Sequence, residues 1–183
     1  MVRLSSVLRG AAVAAIGITS LASSTLAEDT VTQEITEGTL SASVADADMV
    51  DIAYSNAAGS TTGTLNLNVD DARGTATGWN VTIASSAFIY DDTSPIGIDI
   101  PNTGFSTTGY GPLTVEGGQS IPAPTTETVG LLSGALPVFE AAAGSGSGEY
   151  TQPINVLLLI PAASQSGTYL ATLIVTVSDG ATP

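Results

Sequence analysis

The chain has 183 residues, with seventeen acidic and three basic side chains, no His and no Cys, and a formal net charge of −14 at pH 7. Two of the cations, Arg3 and Arg9, lie at the start and every acid lies at or after Glu28, so residues 28–183 keep a single cation, Arg73, and no Lys. That removes Schiff-base chemistry, Ser–His and Cys–His nucleophiles, imidazole-ligated zinc, iron–sulfur clusters and disulfides, while the uniform negative field disfavours nucleic acid and anionic membranes as partners.

Residues 1–27 have the order of a secretory signal: two arginines without an acid, an apolar stretch at Ala11–Ile18, and Thr25-Leu26-Ala27 with small residues at −3 and −1. The apolar stretch is far shorter than the roughly 20 residues that span a bilayer. The expectation is removal of 1–27, leaving residues 28–183 as one domain. It would be secreted or held at the cell surface, without a membrane span.

From there the hydrophobic period is two. Leu40, Ala42 and Val44 form one alternating set and Val50, Ile52 and Tyr54 a second. Leu65, Leu67 and Val69 alternate with Asn66, Asn68 and Asp70, and Trp79, Val81 and Ile83 with Asn80, Thr82 and Ala84. Asp91–Thr128, rich in Pro and Gly, reads as a long excursion with short strands, and Glu127–Ala143 as the one stretch with room for a turn or two of helix. Ala141–Gly148 reads as a loop, and the unbroken apolar run Ile154–Ile160 as a strand covered on both faces. Tyr169, Ala171, Leu173, Val175 and Val177 close the series. Short alternating strands separated by Gly- and Ser-rich turns predict an all-β fold, an antiparallel β-sandwich with Trp79 in its core.

Candidate chemistry is sparse. Asp46, Asp48 and Asp51 offer oxygens to calcium but lack an EF-hand's Gly turn and closing Glu, so a solvated turn is the plainer reading and no metal or cofactor is assigned. Asp91-Asp92 is a weaker pair of the same kind. Arg73, surrounded by surplus carboxylates, is expected to fork onto one and tie the turn between two strands. Asn80-Val81-Thr82 matches a glycosylation acceptor with Asn80 facing out. A glycosidase using paired carboxylates needs neither His nor Lys. Sugar-cleaving clefts, however, usually carry aromatic platforms, and one Trp, three Phe and five Tyr supply few. The residues favour a non-enzymatic protein.

Thr64–Phe88, TLNLNVDDARGTATGWNVTIASSAF, resembles the first signature block of the WxL-domain surface proteins of bacteria: a strand, an Asp-x-Arg-Gly turn and a Gly-Trp strand. Ala142–Ser178 is similar to the closing block, with a Gly-rich loop, a Leu/Ile strand ending in Ile-Pro, Gly-Thr-Tyr and a last strand. The matching motif positions are Asp71, Arg73, Gly74, Gly78, Trp79 and Val81, then Val175 and Val177. The Trp-x-Leu signature stands here as Trp79-Asn80-Val81, and its second copy as Val175-Thr176-Val177 without a Trp. The resemblance implies a secreted β-sandwich that associates non-covalently with the cell envelope, through peptidoglycan or other surface proteins. The alternative is a structural subunit of an extracellular fibre or coat that self-associates by β-strand addition, with the Thr/Ser-rich Val31–Ala45 region as the donated part.

Overall fold

The computed structural model describes residues 32–45, 47, 49–91, 98–118 and 129–180. A compact unit runs from Ile35 to Pro183. Of the preceding unit, Thr32–Glu34 is described; it is exposed and without regular structure.

The compact unit is all-β. Its strands are β1 (Leu40–Val44), β2 (Gly59–Asp71), β3 (Trp79–Ser85), β4 (Ile89–Tyr90), β5 (Phe105–Tyr110), β6 (Thr114–Gly118), β7 (Leu136–Ala141), β8 (Gly148–Ile160), β9 (Tyr169–Leu170) and β10 (Leu173–Asp179). One antiparallel sheet has the order β1-β2-β8-β5, with β6 also paired to β8; the second is β10-β3-β7, and β4-β9 is a short separate ribbon. Period two explains the packing, since alternate side chains of a strand face opposite ways. Leu65, Leu67 and Val69 of β2 and Tyr150, Ile154, Val156 and Leu158 of β8 turn inward. They meet Trp79, Val81 and Ile83 of β3 and Phe139 and Ala141 of β7 in one buried cluster. Leu173, Val175 and Val177 of β10 are half-buried against it. The result is the expected two-sheet sandwich.

Three local expectations are corrected. Val50, Ile52 and Tyr54 do not form a strand: only Val50 reaches β2, donating its N–H to Thr62 O at 2.9 Å and accepting from the Thr61 hydroxyl. The chain then bends at Asn56–Ala57, where Tyr54 Oη donates to Asn56 Oδ1 and Ala57 N donates to Ser55 Oγ. Ile154–Ile160 is covered on one face only. Leu159 is 54% exposed, because no layer among the described residues covers the outer face of its sheet. The described part of Glu127–Ala143 is a bridge at Leu131, a tight turn at Leu132–Ser133 and then β7, with no helix. Leu132 donates to Phe105 O of one sheet and accepts from Ser85 N of the other, both in backbone bonds, so it closes one side of the sandwich.

Candidate functional site

Register places two very different ends on this sandwich. Asp71 pairs with Gly148 and Trp79 with Asp179 at one end; Gly59 pairs with Ile160 and Ser85 with Leu173 at the other.

The first end holds the signature residues. Asp71 is the last residue of β2 and points inward, with its side chain fully buried. Arg73 folds back onto it bidentately, Nε to Oδ1 at 2.8 Å and Nη2 to Oδ2 at 2.9 Å, and Nη2 also donates to Gly78 O at 3.0 Å. Its Nη1 donates to Asp179 at the end of β10, which also accepts from the Thr77 hydroxyl at 2.7 Å. Donating to the Asp71 carboxylate raises the guanidinium's already high pKa, and Asp179 is held below the usual carboxylate range, first by Thr77 and then by Arg73. Gly74 and Gly78, at φ 71° and 81°, let the turn close; a Cβ on Gly78 would stand 2.5 Å from Ala141 O.

Trp79 is fully buried, and its indole N–H donates to Gly146 O at 3.0 Å. Phe139 and Tyr150 pack against it with ring centroids 5.1 and 6.0 Å away. The Tyr150 hydroxyl donates to Ser147 O at 2.7 Å, and burial followed by the Asp71 charge pushes its pKa up. The signature positions Asp71, Arg73, Gly78, Trp79 and Val81 therefore build a closed corner, while Val175 and Val177 lie half-buried on β10. Asp179, Phe139 and Tyr150 complete the corner. They lie far from Arg73 and Trp79 in sequence, and only the strand register could have brought them together. Asn80 is partly covered, its amide donating to Gly180 O at 3.3 Å.

The second end is open. A groove of about 1560 Å3 runs between residues 49–60 and residues 164–173, over a floor that includes Leu65, Phe88, Phe105 and Leu158. Five large apolar side chains line it while largely exposed: Val50 at 63%, Ile52 at 47%, Tyr54 at 59%, Ile89 at 50% and Leu170 at 54%. One wall is braced from behind. Tyr90 stacks edge-on to Tyr169 at 5.1 Å, Tyr90 Oη donates to Ser166 O and Tyr169 Oη to Gln165 O. Gly167 lies against the Tyr90 ring, where a Cβ would come within 2.5 Å. Among the described lining residues the single carboxylate is Asp51, and there is no cation.

Asp46, Asp48 and Asp92 lie outside the described residues. Asp51 is exposed, and the described residues contain no group of three or more acidic, His or Cys side chains placed to hold a metal. No helix among them is long and apolar enough to cross a membrane.

No protein-family model matches the chain, and no curated protein does. Among solved structures it is similar to a family 123 glycoside hydrolase from Clostridium perfringens, over 77% of this chain and 25% of that one, at 14% identity and a TM-score of 0.38. The chain thus spans about a quarter of that enzyme's length.

Proposed function

We propose that this chain is a non-enzymatic, exported surface module of the WxL-like kind, attached non-covalently to the cell envelope through the open groove. The observation that carries this reading is the convergence of Val50, Ile52, Tyr54, Ile89 and Leu170 on one exposed surface. Contiguous exposed apolar surface of this kind marks interaction sites. The groove exceeds the roughly 300–1,000 Å3 of small-molecule pockets, which suits a length of polymer better than a metabolite. Its nearly uncharged lining, in a chain of net charge −14, suits a neutral partner such as the glycan strand of peptidoglycan. The signature corner, by contrast, supplies rigidity: Trp79 has no surface left to offer a ligand.

Sedimentation with purified peptidoglycan tests this. The chain is retained above an albumin control, Tyr54→Ala and Leu170→Ala lose retention, and Ile174→Ala, exposed at 58% outside the groove, keeps it. Retention no better than albumin, or unchanged in the groove variants, overturns the reading.

A further inference from the structure

Three carboxylates stand in one cross-strand row on the outer face of the larger sheet. Register sets Asp70 of β2 opposite Glu149 of β8, and Glu149 opposite Glu116 of β6. All three are exposed, on strands about 4.8 Å apart. Like charges directly opposite each other destabilise a sheet. Among the described residues, none beside the row offsets them. Ser41 of β1 faces Asp70, and the flanking row is Asn68, Thr151 and Thr114. Asp71 on the other flank points inward to Arg73, and Arg73, the cation among the described residues, is committed to Asp71 and Asp179.

The strand at the end of this row is held along one side only. β6 has five residues and pairs with β8 alone, and its register slips between Glu116 and Gly118, where Gly117 adopts φ 70°. Val115, opposite fully buried Tyr150, remains 37% exposed, so its apolar anchorage against the repulsion is incomplete.

We propose that β6 is a charge-gated strap. Repulsion across Asp70, Glu149 and Glu116 lifts it from β8 at low ionic strength, and screening docks it, covering the Glu149–Thr151 edge of β8. Ions act on the row by screening rather than chelation.

Hydrogen exchange at the Thr114 and Glu116 amides tests this between about 0.01 M and 1 M sodium chloride, where the Debye length falls from about 30 Å to about 3 Å. Protection there should rise by up to about fivefold with salt, the range that the one like-charge contact broken when β6 lifts, Glu116 opposite Glu149, implies, while β3 and β10 amides do not change. Glu149→Gln, which removes the charge common to both contacts, should give high-salt protection at low salt. Salt-independent exchange of β6 in the native chain overturns the proposal, as does an unaltered salt response in Glu149→Gln. Docking driven by sub-millimolar calcium at fixed ionic strength would also overturn it, replacing screening with a chelating site.

Discussion

At the Asp71 end of the sandwich Trp79, Phe139 and Tyr150 interlock inside the core, and the indole and phenol protons go to Gly146 O and Ser147 O. At the Gly59 end Phe88 and Phe105 stay buried as a perpendicular pair, but Tyr54 stands 59% exposed and Tyr169 lines an open groove. The same residue class seals one end and furnishes the other, and backbone pairing makes the difference. The corner is bounded by the paired strands β2, β8, β3, β7 and β10 and closed by the loop carbonyls of Gly146 and Ser147. The groove wall at residues 49–58 is held to β2 by one backbone bond and one hydroxyl at Val50. Rigidity is concentrated where the charges pair, and accessible surface where pairing stops.

The sharpest way to break this comparison is to empty the sealed end. Trp79→Ala should cost about 3–5 kcal/mol in urea unfolding, as emptying a buried aromatic site does, and native Trp79 should emit at short wavelength. A red-shifted native emission would place the ring in water and dissolve the distinction between the ends. Asp71→Ala comes next. It leaves the nearly buried Arg73 guanidinium without its bidentate partner and should cost about 3 kcal/mol. Asp179→Ala, at a carboxylate 70% exposed to solvent screening, should cost clearly less than Asp71→Ala. If the two aspartates prove equal, the clasp is not centred on the buried side. At the open end, Tyr54→Ala should change stability by no more than about 0.5 kcal/mol, because the site is built for contact rather than for folding.

Acid sharpens the same contrast at one atom. Because Asp179 is held below the usual carboxylate range, its clasp contributes stability that is fully present above that range and lost as pH falls through the lowered value. The melting-temperature difference between the native chain and Asp179→Asn should therefore stay constant from pH 7 to about pH 4, near the unperturbed carboxylate value, and close below it. A difference that closes already near pH 6 would mean that another group governs the clasp.

Much of the sealed end was legible from period two. Leu65, Leu67, Val69, Trp79, Val81 and Ile83 all face the core as their alternation predicts, and Arg73 ties the turn as its scarcity suggested. Other features were not legible, because they depend on register or on bare backbone. Nothing local marks Asp179 as Arg73's second partner, or Leu132 as the residue that bonds both sheets. Val50, Ile52 and Tyr54 carry a strand's pattern, but alternation measures which side chains prefer cover, not whether a neighbouring strand is there to supply it. The same gap made Ile154–Ile160 look doubly covered. The groove follows from that omission: it exists because a strand-like segment found a partner at one residue only.

The single Arg73 also makes the corner readable by a protease. Within residues 28–183 trypsin has one bond to cut, Arg73–Gly74, and the side chain it must seize is 8% exposed and clamped by two aspartates. Cleavage must wait for the clasp to open, so under mild conditions its rate counts openings of this one corner. Within residues 28–183 the corner thus carries a one-site clock: a cut at Arg73 times the release of the turn between β2 and β3, with no second Arg or Lys in that stretch to blur the reading.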